Sequence, residues 1–204
     1  MVKLTQNFMS GTKIISGDWK GLEIRPMPKN ILVRPILARI KKSLFDILTN
    51  HIQGCRFLDL FAGSGSVGIE ALSRGAARVV FVESHFQCRE RIQQTLETYS
   101  KKIVLSTSQK DWVIYARDIR NGLNWLNEDF DLIFSGAPYK DEEKKPIYFV
   151  QELLKMILQA KILKKQGTFV AQHHAKERFE APEEWNFFRA EKYGDSTLSF
   201  FKLK

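Results

Sequence analysis

The stretch RFLDLFAGSGSVGIEALSRG, residues 56–75, constrains the chain more than any other. A strand-like apolar run breaks into Gly63, Gly65 and Gly68 and then turns amphipathic, so the glycines sit in a G-x-G-x-x-G pattern between a strand and a helix. Backbone can approach a ligand closely there, and the helix N-terminus offers free N–H groups. Alone, the pattern fits a dinucleotide fingerprint or a tight structural turn equally well. The rest of the chain repeats the alternation. Strands are predicted near 56–61, 78–83, 112–117, 130–135 and 167–173, and helices near 66–74, 85–99, 119–127 and 147–160. That order implies an α/β fold with a parallel sheet and crossover helices. Gly75 suits the C-cap of the first of these helices. The tail, with alternating aromatic-rich runs about Gly194-Asp195, predicts a closing antiparallel hairpin.

Three acids sharpen the glycine pattern. Asp59 lies at the end of the first strand, where a carboxylate attracts a cationic ligand and would repel a pyrophosphate. Glu83 closes the second strand about 20 residues beyond the loop, where an acid can take both hydroxyls of a ribose; a solvated strand end is the alternative. Asp118 closes the third run and can accept from an adenine amino group, cap the helix expected at Ile119, or do both. The set suits a cationic ligand bearing ribose and adenine but no pyrophosphate, and S-adenosylmethionine fits it better than a nicotinamide dinucleotide. A dinucleotide-dependent oxidoreductase would leave Asp59 without a purpose.

The 204 residues suffice for one buried core with an appendage. No window approaches the roughly 18 apolar residues of a membrane span. The first residues lack a signal-type apolar core, so a cytoplasmic protein with no membrane partner is expected. Cys55 and Cys88 stand apart without ligand spacing, suggesting no metal site. Charge is more informative. Residues 1–56 hold ten Lys or Arg against three acids, so +7 of the net +9 lies there, a polyanion footprint. Residues 12–25 read as a hairpin turning at Gly17-Asp18, whose charges alternate with Ile14, Ile15, Trp19 and Leu22 as on a contact surface. Pro35 opens a helix with Ile36, Leu37, Ile40, Leu44, Ile47 and Leu48 on one face and Arg39, Lys41 and Lys42 on the other.

Several stretches together resemble the bacterial small-subunit ribosomal RNA guanine-N2 methyltransferases, a branch of the class I S-adenosylmethionine-dependent enzymes. They are KIISGDWKG (13–21), VRPILARIKKSLFDIL (33–48), DLFAGSGSVGIEALSRGA (59–76) and KYGDSTLSFF (192–201). The resemblance implies a Rossmann-like class I methyltransferase. Its mostly parallel seven-stranded sheet would end in an antiparallel hairpin and be preceded by an N-terminal β-hairpin and helix. Residues 1–50 would form a basic RNA-binding extension and residues 51–204 the transferase domain, with rRNA or the small ribosomal subunit as partner and a monomer as default. Asp59, Phe61, Ala62, Gly63, Ser64 and Gly65 would line the methionine and ribose side of the cofactor. Glu83, with Ser84 beside it, would hold the ribose, and Asp118 with Ile119 the adenine. Lys13, Lys20, Arg34, Arg39 and Lys41 would face RNA phosphates.

The chain departs from the family where the chemistry occurs. After the fourth strand the family carries D-P-P-Y or D-P-P-F, whereas FDLIFSGAPYK (130–140) reads Gly136-Ala137-Pro138-Tyr139. In the family's mechanism the first side chain of that motif and a nearby carbonyl accept the hydrogens of a guanine amine, while the aromatic residue stacks on the extruded base. Gly136 removes the side-chain acceptor, a loss on the order of a hundred- to a thousandfold by analogy with oxyanion-hole deletions. Ala137 frees a backbone angle that proline would fix. Ser135 or a carbonyl freed at Gly136 can replace the acceptor, and Tyr139 can still stack. Two readings remain: methylation by this altered tail, or an assembly protein that binds cofactor and RNA without turnover. His173 and His174 read as structural, and Trp185, Phe187, Phe188, Phe200 and Phe201 as core or sheet-face packing. The KDEEKK run (140–145) reads as a solvated loop that can act as a lid.

Overall fold

Strict alternation along the central strands decides the architecture. In β1 (Arg56–Leu60), Phe57 and Asp59 point to one face of the sheet and Leu58 and Leu60 to the other, and all four are buried. A strand covered on both faces belongs to the middle of a layered α/β sheet. The computed structural model describes residues 12–27, 36–102, 111–139, 143 and 145–204. In it β1 is joined by β2 (Arg78–Val82), β3 (Asp111–Tyr115), β4 (Phe130–Ser135), β5 (Leu163–His174), β6 (Trp185–Tyr193) and β7 (Ser196–Leu203). The order is β3-β2-β1-β4-β5-β7-β6. The first five strands are parallel, and β7 pairs antiparallel with both β5 and β6 about the Gly194 turn.

One face is covered by α1 (Ala38–Ile47), α3 (Ser66–Ser73), α4 (Phe86–Lys102) and residues 12–27, packed with Phe57, Phe81, Phe134 and Phe200. The other is covered by α5 (Val150–Ala160) and a 3-10 turn at Ile119–Asn121, packed with Leu58, Leu60, Val80, Phe169 and Phe201. A short α2 (Thr49–Ile52) leads into β1. Gly75, at φ +96, ends α3 as expected of a glycine stop. Among the described residues no helix is long and apolar enough to cross a membrane.

The structure corrects several expectations. Residues 12–25 fold back on themselves through one bridge, Lys13 to Glu23, rather than through two strands. Ile14, Trp19 and Ile24 are not a contact surface; they are buried in the main core. Each isoleucine buried there is worth about 1.5–3 kcal/mol, which outweighs pairing in so short a loop. The helix expected over 119–127 stops after one 3-10 turn because Gly122 takes φ +88, although Leu123 and Leu126 are still buried. Helix α1 begins at Ala38, so Leu37 precedes the first turn and is 43% exposed instead of joining the apolar face. Pro35 lies outside the described residues. Phe187 and Phe188 are half-exposed, lying against Phe201 and Phe200 on the sheet face, while Trp185, Phe200 and Phe201 are core.

Candidate active site at the β1–β4 edge

Strand order reverses between β1 and β4, and in open α/β sheets the crevice outside the strands' carboxyl ends at such a switch point is where ligands bind. Three predicted features end there. The glycine loop leaves β1, Glu83 follows β2, and Gly136-Ala137-Pro138-Tyr139 follows β4. The loop is sharply bent: Phe61 (φ +59), Gly63 (φ +54) and Gly65 (φ +75) all lie in the left-handed region. For Phe61 that region carries strain of the kind found at functional sites. Its ring packs edge-on against Phe149 at 5.7 Å.

The acids hold this loop in shape. Glu83 Oε2 accepts the Gly63 N–H at 2.7 Å and Oε1 accepts the His85 N–H at 2.7 Å. Asp59 is 1% exposed, beneath the loop, and its Oδ2 accepts the Gly68 N–H at 2.8 Å. Burial pushes its carboxyl up to about 7, opposed by that hydrogen bond and reinforced by the charge of Glu83. Ala62 and Ser64 are buried, and Ser84 is exposed, its carbonyl accepting from Arg89 Nη1 at 2.5 Å. Asp118 caps the 3-10 turn, accepting the Arg120 N–H at 2.9 Å, and its carboxyl is held below the usual range by hydrogen bonding from the Arg120 guanidinium at 2.6 Å. The capping alternative is therefore realised, with Ile119 buried behind it.

Across the crevice, Gly136 N–H reaches Leu60 O at 3.4 Å and ties the tail to β1. Tyr139 donates to Ser196 Oγ at 2.9 Å, accepts from Gln172 Nε2 at 2.9 Å, and sets its ring edge-on to His174 at 5.8 Å. Ser135, Ala137, Pro138 and Tyr139 line one cavity with Gln172 and Phe149. Among the described residues, two buried side-chain polar atoms lack a hydrogen-bond partner: Ser135 Oγ, and Ser66 Oγ at the start of α3. Unsatisfied buried hydroxyls are uncommon in folded proteins; Ser135 ends β4 and lines this cavity, whereas Ser66 opens α3 just after the glycine loop. Ser66 carries no signal of this in the sequence, because a serine at a helix start ordinarily reads as a cap.

The residues expected to meet RNA divide. Lys13, Lys20 and Arg39 are exposed, and Arg34 lies outside the described residues, as do residues 140–142 and 144 of the expected lid. Lys41 contradicts the expectation. It is 0% exposed, with its Nζ 3.1 Å from Glu70 Oε2 and donating to Lys13 O at 3.0 Å. The reason is helical phase: Lys41 follows buried Ile40 and lies one turn from Leu44 and Phe45, so it falls on the inner face. His173 bonds Ser199 Oγ at 2.8 Å and belongs to the hairpin packing.

Comparison with known proteins gives the family and the fold. Residues 12–202 match the model of the family described as Conserved hypothetical protein 95. The chain is 31% identical over 198 residues to YlbH of Bacillus subtilis (strain 168), named provisionally as an rRNA methyltransferase, covering 94% of this chain and 99% of that one. It is 32% identical over 183 residues to "Ribosomal RNA small subunit methyltransferase D" of Buchnera aphidicola subsp. Acyrthosiphon pisum (strain APS), covering 86% of this chain and 85% of that one. The solved yhhF protein of Escherichia coli shares the fold, with a TM-score of 0.75 at 20% identity over 95% of this chain and 98% of that one.

Proposed function

The chain belongs to the family described as Conserved hypothetical protein 95, that of the small-subunit ribosomal RNA methyltransferases, and on that premise we propose its reaction: methyl transfer from S-adenosylmethionine to the exocyclic N2 amine of a guanine in small-subunit (16S) ribosomal RNA. The observation that carries the reading is the convergence of the glycine loop, Glu83 and the Gly136–Tyr139 tail on one switch point.

When bound, S-adenosylmethionine supplies an electrophilic methyl group on a sulfonium. The chain supplies the rest. Glu83 uses one lone pair per oxygen on the loop and keeps others for ribose hydroxyls. Asp118 and Ile119 border the adenine. Asp59 acts from beneath the loop, where its charge favours a cationic ligand over a pyrophosphate. Tyr139 is pinned through its hydroxyl at the mouth, which leaves its ring to stack on an extruded base. The Ala137 carbonyl would accept a hydrogen bond from the amine, and holding the nitrogen in line with the methyl would provide acceleration without a strong base, the amine's surplus proton passing to water once the methyl has transferred. Residues 1–50 serve as the RNA-binding extension and residues 51–204 as the transferase, in a cytoplasmic monomer. Calorimetry with S-adenosylhomocysteine and with NAD tests the pocket. The reading expects binding of the first alone, and binding of NAD alone would refute it.

A further inference from the structure

The buried cluster that removes Lys41 from the RNA face also joins the two ends of the proposed machinery. All eight residues of α3 are buried. Its first turn carries the glycine loop, since Ile69 N–H reaches Gly65 O at 2.8 Å and Gly68 N–H reaches Asp59. Its second carries the N-terminal loop. Glu70 Oε2 accepts the Ile15 N–H at 2.8 Å and faces Lys41 Nζ, while Oε1 accepts the Ser16 N–H at 3.0 Å and Arg74 Nε at 2.8 Å. Ser73 Oγ donates to Ser16 O at 2.6 Å and accepts the Trp19 N–H at 3.0 Å, and Ser73 O accepts the Asp18 N–H at 2.9 Å. Lys41 Nζ also holds Lys13 O. The backbone that displays the exposed Lys13 and Lys20 is thus fixed to the helix that shapes the cofactor loop.

A fully buried ion pair is a weak source of stability, because desolvation offsets most of its attraction. Glu70 does something a hydrophobic isostere could not: it joins two cations and two backbone donors at one point. A short, close-packed helix pinned at both ends does not deform continuously, so a shift at one end is felt at the other. The geometry points to α3 as a rigid link that couples occupancy of the glycine loop to engagement of RNA by residues 12–25, with Glu70 and Lys41 as its positioning residues. The inference rests on the proposed reading of the two ends. A ligand that favours one placement of this helix at either end favours it at the other, so occupancy of one site changes affinity at the second. Coupling is reciprocal, and a link of this kind is expected to change each affinity by roughly five- to 150-fold.

The test is a closed thermodynamic cycle. Affinity for an unmethylated small-subunit rRNA transcript is measured with and without saturating S-adenosylhomocysteine, and affinity for S-adenosylhomocysteine with and without the transcript. Two variants cut the link. A Lys41→Met, Glu70→Gln pair removes both charges at similar volume. Gly17→Ala forces out the loop alone, because its Cβ would lie 1.9 Å from Ser73 O. Gly21→Ala is the control, with a similar φ of +83 and nothing within 4 Å. The natural chain and the control should show the same factor in both directions. The two cut variants should fall to within about twofold of no coupling while still binding S-adenosylhomocysteine alone. Unit coupling in the natural chain overturns the inference. So does coupling that survives in both cut variants, even if they melt lower, since that would mark a purely structural cluster. Binding of neither ligand by the natural chain would instead defeat the proposed function, and the inference with it.

Discussion

Replacing Asp59 with asparagine should stabilise the protein at alkaline pH while weakening its hold on S-adenosylmethionine. Asp59 is 1% exposed, and its carboxyl is raised from 3.8 to about 7. A folded-state value above the unfolded one means that the native state holds the proton more tightly. Stability from this group is fully present below about pH 4, declines as pH rises, and is lost once pH passes the folded value. Above pH 7 the native chain therefore carries a buried carboxylate whose cost approaches about 4 kcal/mol, the free-energy equivalent of the shift. Asparagine keeps a carbonyl oxygen for the Gly68 N–H and carries no charge. The stability gap between variant and natural chain should be near zero at pH 4, open between pH 4 and 7, and level off above. Urea denaturation at pH 4, 6 and 8 measures it. A gap that does not change with pH, or a variant less stable at pH 8, would refute the reasoning. The same titration predicts that a cationic ligand expels the proton near pH 7, so calorimetric binding enthalpy should depend on the buffer's own ionisation enthalpy.

Gly68→Ala should cost about 1–3 kcal/mol of stability by overpacking, because its Cβ would meet Phe81 Cε1 at 2.3 Å; thermal melting checks it. Neutralising Lys13, Lys20 and Arg39 should flatten the salt dependence of RNA binding by up to about 0.7–0.9 of a log unit per lost phosphate contact, and an unchanged slope would count against the basic face. A Gly136→Asp, Ala137→Pro variant should fold, since a Cβ at 136 meets only the Phe134 ring, at 3.3 Å. It should raise kcat, by at most on the order of a hundred- to a thousandfold, in single-turnover methyl transfer.

The sheet was legible because its signal is local. The runs around Leu58, Val80 and Ile133 are apolar on both faces, and the glycine loop announces the strand-to-helix turn. The positions of the three acids follow from the same local signal: Asp59 lies near the end of β1, Glu83 just after β2 and Asp118 three residues after β3. Helical phase sets Lys41 beside Leu44 and Phe45, but what satisfies its charge there is not local: Glu70 is remote in sequence and meets it only when α1 and α3 pack on one face. The signal available was a glutamate among Val67, Ile69, Ala71 and Leu72, where burial of the helix demands a cation. Trp19 is ambiguous for the same reason: alternation in a short segment marks one buried side, but not whether the fold or a partner covers it. The 3-10 turn depended on the positive φ of Gly122, a choice that lies in backbone geometry rather than in side-chain pattern. Ser66 and Ser135 could not be read as partnerless, since that depends on every neighbour at once.

The most direct test of the account is tritiated methyl transfer from S-adenosylmethionine to small ribosomal subunits that lack the modification, using the chain as it stands. The account predicts incorporation into a guanine N2 of the small-subunit rRNA, lost on Tyr139→Ala. Subunits left unlabelled by a protein that demonstrably binds S-adenosylhomocysteine would contradict it.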